Sequence, residues 1–268
     1  MSVEPLRLYF RYAGLSLRSQ LEYPASFWML AVSHFITCGI EFVGVVALFD
    51  RFGGLRGWTL PQACLFYGIV HVAFALAEAV GRGFDVFPNL LRSGDFDRLL
   101  LRPRSTALQV AAQECQLMRV GRFAQGLGVL LWGASRVGVE WSLPNAALIL
   151  LAVLGGACLF YGLFVLQATL AFWTIESLEV MNTMTYGGTE TGQYPLTVYR
   201  PWFRRFFTFV VPLACMNYLP VNAVLGRLDP FGMPVLVQWA APLAGVVFLV
   251  AALQCWKLGV RHYRSTGS

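Results

Sequence analysis

The chain has 268 residues, of which 57% are hydrophobic and only 13% are charged, whereas soluble domains are roughly one quarter charged. This composition excludes an ordinary soluble domain and favours an all-α integral membrane protein. We attribute the net charge of +6 to basic residues that contact anionic lipid headgroups and determine membrane topology. No nucleic-acid-binding motif accompanies it.

The first 24 residues carry several arginines and precede the first apolar run, which is not the pattern of a cleavable signal peptide. A helix that is apolar on one side and basic on its flank lies in the headgroup plane of a membrane. We therefore predict an amphipathic interfacial helix over residues 1–24, with a frayed tail as the alternative. Its apolar stripe consists of Leu6, Phe10, Ala13, Leu17 and Leu21.

Six apolar segments are long enough to cross the hydrocarbon layer, which takes about 20 helical residues. The fifth is the least regular, because it begins near Arg204 and Arg205 and contains Pro212. The six predicted transmembrane helices cover residues 25–49, 60–80, 117–135, 143–172, 202–218 and 235–258.

Polar residues at membrane depth are candidates for function, because charge there is costly unless it is paired or hydrated. Glu41 lies in the outer half of the first span, His34 and His71 lie mid-span, and Glu78 lies near the cytoplasmic end of the second. The two helices are antiparallel, so we do not expect the four residues to form one cluster. Glu41, His34 and His71 are candidates for a translocation path. The alternative for Glu41 is an interfacial carboxylate paired with an arginine of the next loop.

The loop at residues 82–104 is rich in arginine but also carries apolar residues at helical spacing. Ser93 and Gly94 interrupt the pattern, so two short helices joined at a glycine are predicted. An apolar stripe in a charged loop has to be buried against something, and another subunit is the expected contact. The alternative is a solvated loop with incidental leucines.

Two segments near the fifth predicted span do not have the pattern of a full span. Residues 176–200 contain Gly187 and Gly188 among polar residues and are predicted to be a mobile cytoplasmic connector, with a regulatory role as the alternative. Residues 219–238 are apolar but interrupted by proline, a pattern tolerated at membrane depth where protein covers the backbone. We predict outer re-entrant helices there, over about 221–228 and 233–238.

The basic residues predict the orientation. With a cytoplasmic N-terminus, sixteen of the 20 basic residues face the cytoplasm, and four face outward. Cytoplasmic loops are enriched in Lys and Arg, so both termini are predicted to be cytoplasmic. The four outward residues are Arg51, Arg56, Arg136 and Arg227.

No catalytic or metal-binding motif stands out in the sequence. The six cysteines form no CxxC pair and no HExxH occurs, so neither a disulfide framework nor a zinc site is predicted. The single lysine, Lys257, follows no glycine-rich loop, whereas a Walker A motif requires a lysine directly after its last glycine. We therefore predict no catalytic residue, metal or cofactor in this chain. If ATP drives it, ATP and Mg²⁺ belong to a separate subunit.

The loop sequence SGDFDRLLLRP resembles the cytoplasmic loop of ABC-2 type ABC-transporter permeases, a family with the pattern G-x-x-D-x-x-L-x-x-P. Gly94, Asp97, Leu100 and Pro103 match it in register. The stretch QYPLTVYRPWFRRFFTFVVPLACMNYLP also resembles the segment leading into the fifth span of these permeases. The resemblance implies one ABC-2 transmembrane domain over residues 1–268.

The resemblance also implies a function. It suggests a permease of an ATP-driven exporter in the bacterial cytoplasmic (inner) membrane, moving an amphiphilic or hydrophobic substrate outward with a cytoplasmic ABC ATPase dimer and a second permease. An ion-coupled secondary transporter and an intramembrane lipid-modifying enzyme are the alternatives, although no internal repeat or paired catalytic residues favour them. The residues implied in coupling to the ATPase are Leu91, Gly94, Asp97, Leu100, Leu101, Arg102 and Pro103.

Overall fold

The computed structural model describes residues 14–15, 18–114, 116–174, 178–227 and 232–263, without the side chains of 117 and 178–184. Within these residues the regular structure is helical, apart from one isolated bridge between Leu55 and Trp58. Most of the predicted interfacial helix lies outside the described residues. Of that prediction, the structure has helical turns at 14–15 and 18–21.

Thirteen α-helices make up the described chain. In chain order they are α1 (Pro24–Phe52), α2 (Leu60–Asp85), α3 (Phe87–Arg92), α4 (Asp95–Leu100), α5 (Thr106–Ala111), α6 (Val120–Arg136), α7 (Leu143–Leu170), α8 (Leu178–Gly192), α9 (Pro201–Phe209), α10 (Leu213–Met216), α11 (Tyr218–Leu225), α12 (Val235–Ala240) and α13 (Leu243–His262).

Four stretches of the described chain are long and apolar enough to cross a membrane, namely α1, α2 continued through α3, α7 and α13. Together they cover four of the six predicted spans, although the sixth is covered only from residue 243, because residues 235–240 form the separate helix α12. The third predicted span corresponds to α6, a helix of 17 residues, which is about 26 Å long and therefore at the short limit for a crossing.

The fifth predicted span, residues 202–218, is not one helix. It is divided into α9 and the segment Leu213–Leu225, whose axes are bent by 71°. The break is at Pro212, which cannot donate a helical hydrogen bond and disfavours helix at the residue before it. The prediction of a continuous helix here was wrong, and the bent pair adds at most a fifth candidate span.

The predicted connector at 176–200 is also different in the structure. Most of it forms α8, which packs on α2: the Tyr186 ring lies 5.5 Å from the Phe74 ring, and Thr189 is only 2% exposed. The hydroxyl groups of Thr189 and Thr191 donate to the carbonyl groups four residues earlier, at Thr185 and Gly187. Because these hydroxyl groups are satisfied within the helix, a sequence that is polar in composition can be buried.

Helix α2 is the centre of the molecule, and its side chains are buried along most of its length. Close packing against α6 depends on glycines, because a Cβ on Gly68 would lie 2.5 Å from that of Leu130, and one on Gly126 would lie 2.8 Å from that of His71. On its other side α2 packs on α7, where Phe74 lies edge-on to Phe160. The core is therefore a layer of α6, α2 and α7.

The two ends of this bundle are distinct. We call the end formed by residues 53–59 the hairpin end and the end formed by residues 86–104 the loop end. At the hairpin end, the carbonyl of Thr197 accepts a hydrogen bond from Arg56 (2.7 Å), and Arg227 donates to the carbonyl of Gly57 (3.0 Å). The segment 197–227, which contains the bent pair, thus begins and ends at the same end of the bundle.

The predicted re-entrant region 219–238 contains two short helices in the structure. Instead of 221–228 and 233–238, they are α11 (Tyr218–Leu225) and α12 (Val235–Ala240). Residues 228–231 between them lie outside the described chain. Gly226 ends α11 with a left-handed φ of 64°, a conformation that glycine adopts readily.

Candidate functional sites

At the loop end the chain forms the two short helices that the sequence predicts. Gly94 joins α3 to α4 with φ 72°, in the left-handed region where a side chain is unfavourable. Ser93 Oγ donates to Asp95 Oδ2 over 2.7 Å, and Asp95 forms an exposed ion pair with Arg98 (3.2 Å). The elbow therefore has a defined conformation.

The residues implied in coupling divide into an inner and an outer set. Leu91 is 6% exposed and faces the protein, so it is an internal contact of the loop. Leu100 is 41% exposed and Leu101 is 86% exposed, and both Arg102 and Pro103 are exposed. We call these last four residues the apex surface.

A cluster of aromatic side chains lies directly beneath the apex surface. The ring centroid of Phe96, on α4, lies 5.1 Å from that of Phe87, 5.5 Å from that of Phe172 and 5.0 Å from that of Tyr263. Phe87 in turn lies 4.8 Å from Trp256 on α13. The loop is thereby packed against the ends of α7 and α13. Burial raises the pKa of the Tyr263 hydroxyl, and the neighbouring half-buried Asp97 raises that pKa further.

Inside the bundle, Glu78 is the centre of an ion-pair group. Its side chain is 1% exposed, and its carboxylate oxygens lie 3.2 Å from Arg119 and 3.5 Å from Arg122. Arg119 also lies 3.1 Å from the His34 ring, and Arg122 lies 5.0 Å from the centroid of the Phe74 ring. We call Glu78, Arg119 and Arg122 the buried triad.

Glu78 lies near the end of α2, as expected, but it is inside the bundle. Of the four polar residues singled out in the sequence, His34 and Glu78 both contact Arg119, whereas the other two lie in a second group, so the four do not form one cluster. Antiparallel helices place the beginning of α1 level with the end of α2, so His34 and Glu78 are at similar depth. The count of basic residues placed Arg119 and Arg122 on the cytoplasmic side, and only the packing of α6 against α2 shows that they contact Glu78.

The other two candidate path residues lie further towards the hairpin end. Cys38, Glu41 and His71 each offer a ligand atom, and these three atoms lie within 4.8 Å of one another. Both Cys38 and His71 are fully buried, whereas Glu41 is half-buried. Glu41 and His71 are thus brought together, in a second group that adjoins the triad at Arg122.

The helices and the exposed loop define the protein as a multi-pass membrane protein with a surface suited to contact another subunit. A comparison with protein families matches residues 35–267 to the ABC-2 family transporter proteins. The chain belongs to this family and is the membrane component of an ABC transporter. Searches of curated proteins and of solved structures found no match.

Proposed function

We propose that the chain is the permease of an ATP-driven exporter and that a cytoplasmic ABC ATPase binds its apex surface. The exposure of Leu100 and Leu101 supports this most directly. Two adjacent leucines on a loop outside the helical bundle lose water-exposed apolar area when a partner covers them, which is favourable by about 25 cal/mol per Å². Arg102 supplies a charge at the edge of the same contact.

The surroundings of the apex surface favour a protein partner. A cavity of about 1000 Å³ opens beside it, between Leu15 and Ser19 on one side and the loop on the other, with Arg102, Arg104 and Gln113 among its lining residues. A ridge of leucines beside a recess that charged and amide side chains help to line is consistent with an interface that has an apolar core and a polar rim.

The aromatic cluster provides the route for the mechanical signal. When the ATPase chains close on ATP, the apex surface is displaced with them. Because Phe96 packs on Phe87, Phe172 and Tyr263, α4 displaces the ends of α7 and α13 rather than deforming alone. Packed cores transmit strain in this way because they are dense and resist compression.

The fifth crossing in this proposal is α8, and α9–α11 re-enter from the outer side. Tyr186 packs beside Phe74 and Gly192 beside Val70, so α8 runs antiparallel to α2. It leads from the loop end to Thr197 at the hairpin end. In this topology Arg200, Arg204 and Arg205 lie on the outer side of the membrane. Thirteen basic residues then lie on the side of the loop end and seven on the opposite side, so the loop end is still expected to be cytoplasmic.

An apolar or amphiphilic substrate is favoured by a cavity of about 470 Å³ between α7, α9 and α13. Leu166, Phe206 and Phe248 are among its lining residues, and its volume is within the range of small-molecule sites. The second permease, or lipid, covers the apolar face of α1, where the exposed residues include Met29, Ile36 and Ile40.

Leu100→Asp tests the proposal. A carboxylate at the centre of an apolar contact is buried without a partner, which costs several kcal/mol. We expect the variant to insert in the membrane normally, to lose the ATPase on purification and to lose transport. The control is Asn89→Asp, which adds the same charge to an exposed position of the same loop and should retain both. Normal transport by Leu100→Asp with the ATPase still bound would show that the apex surface is not the coupling site.

A further inference from the structure

We propose that Cys38, Glu41 and His71 bind a Zn²⁺ ion between α1 and α2. A thiolate, a carboxylate and an imidazole together form a ligand set of the mixed sulfur, oxygen and nitrogen kind that zinc accepts. A tetrahedral zinc ion with ligand bonds of about 2.0–2.3 Å holds its ligand atoms about 3.5 Å apart. The three atoms here lie within 4.8 Å of one another. Side-chain rotations that move these atoms by about 1 Å would bring them to the separation that zinc requires.

His71 gives an independent indication of a ligand. Its ring is fully buried, yet neither ring nitrogen has a hydrogen-bond partner among the described residues. Buried polar groups are almost always satisfied, and each exception requires an explanation. A metal ion would satisfy one of these nitrogens, and the group beside it supplies the remaining ligands.

The ring and the backbone around the site are held in place. The His71 ring stacks on Tyr67 with centroids 4.0 Å apart, and the Tyr67 hydroxyl donates to the Cys38 carbonyl over 2.8 Å. Gln125 donates to the same carbonyl over 3.4 Å. Contacts that orient the ligands of a metal affect its affinity strongly, and here they fix both α1 and the imidazole before a metal binds.

Charge balance favours a dication at this depth. A Cys38 thiolate and a Glu41 carboxylate together cancel the charge of Zn²⁺, whereas two buried anions without a cation are costly. Glu190 on α8 lies within electrostatic range of Glu41 and adds a further negative charge. Arg122 lies beside the Cys38 thiol, but its own charge is shared with Glu78.

The site is open to exchange from one side. Glu41 is half-buried and Glu190 is exposed, so the ion reaches Cys38 and His71 past two carboxylates. The tetrahedral position that the three residues do not fill is available to water. The site is independent of the proposed coupling at the apex surface, so failure of either proposal leaves the other intact.

The full-length chain purified in detergent is titrated with Zn²⁺ in competition with a chromogenic chelator, and separately with Co²⁺. We expect about one zinc ion per chain and a cobalt–thiolate absorption band. Cys38→Ser should abolish the band, and both Cys38→Ser and Glu41→Gln should weaken zinc binding by at least about 10-fold. Glu41→Gln retains the shape of the side chain, so it tests the site even if Cys38→Ser folds poorly.

The matched control is Cys64→Ala. It removes a different buried thiol, which lies on α2, and it should leave zinc affinity and the cobalt band unchanged. Three results would overturn the proposal. They are no zinc bound to the wild-type chain, unchanged affinity in a folded Cys38→Ser or Glu41→Gln variant, and loss of the cobalt band in a folded Cys64→Ala variant.

Discussion

At the scale of single residues, the buried triad shows how a charged group is tolerated inside a helical bundle. Glu78 forms ion pairs with both Arg119 and Arg122, so no member of the group lacks an opposite charge. A buried ion pair adds little net stability compared with apolar residues, but removing one partner is strongly destabilising because a buried charge is left uncompensated.

Glu78→Gln should therefore destabilise the protein by about 3–5 kcal/mol, because two guanidinium groups lose their counter-charge. For a chain of this size that corresponds to a decrease in Tm of about 10 °C, measured by thermal unfolding in detergent. Glu140→Gln, at an exposed turn, is the control and should unfold at the wild-type temperature. Equal Tm values for the two variants would contradict a structural role for the triad.

At the scale of elements, the contact between α2 and α6 is a glycine-dependent one. Gly126 on α6 faces His71 and Val72, where a Cβ would lie 2.8 Å from the nearest atom, whereas a Cβ on Gly128 would meet nothing within 4 Å. Small residues at helix contacts allow close approach of the backbones, which is how helices pack in membranes.

Gly126→Ala and Gly128→Ala form a matched pair on this helix. Gly126→Ala should lower Tm, since α6 must move away from α2. Gly128→Ala should leave Tm unchanged or raise it, because alanine is favoured over glycine in a helix by about 1 kcal/mol. Thermal unfolding of both variants decides the matter, and the opposite order would mean that α6 is not held against α2 as described.

The aromatic cluster is the second element-scale feature with a testable consequence. Phe96→Ala should cost about 3–5 kcal/mol and release α4 from α7 and α13, so trypsin should cleave faster at the exposed Arg98 and Arg104. Phe52→Ala, which changes a phenylalanine that is 67% exposed, is the control. Cleavage at the wild-type rate in Phe96→Ala would show that the cluster does not anchor the loop.

The sequence was sufficient for elements with a simple apolar pattern. Helices α1, α2 and α7 follow their predicted spans because uninterrupted apolar runs leave few alternatives, and the glycine at 94 marks the elbow of the loop. Helix α13 begins at residue 243 rather than 235, after a break that follows α12. The sequence was insufficient for α8. The threonine hydroxyl groups of this helix donate to carbonyl groups within the helix, and a hydropathy scale does not take such hydrogen bonds into account. The triad and the proposed zinc ligands were not recognised in the sequence because each group combines two residues that are close together in the sequence with a third that is 30 or more residues away.

At the scale of the whole molecule, the direction of α8 decides the topology. In a chain whose native cysteines have been replaced, an impermeant thiol reagent applied to intact cells should label Arg200→Cys and Gly53→Cys, since both positions lie at the hairpin end. Ser93→Cys, at the loop end, should react only after permeabilisation. If Arg200→Cys is protected together with Ser93→Cys, residues 176–200 form the cytoplasmic connector expected from sequence, and α8 does not cross.

The buried triad has an electrical consequence for the assembled transporter. Two guanidinium groups and one carboxylate leave one net positive charge within the bundle. The electrostatic energy of a unit charge changes by about 2.3 kcal/mol per 100 mV when the charge crosses the whole membrane. A displacement through one tenth of the voltage therefore changes this energy by about 0.2 kcal/mol. If the conformational cycle moves α6 along the membrane normal, the resting voltage opposes outward steps of the triad and assists inward ones, so it shifts the balance between the two conformations but does no net work over a complete cycle.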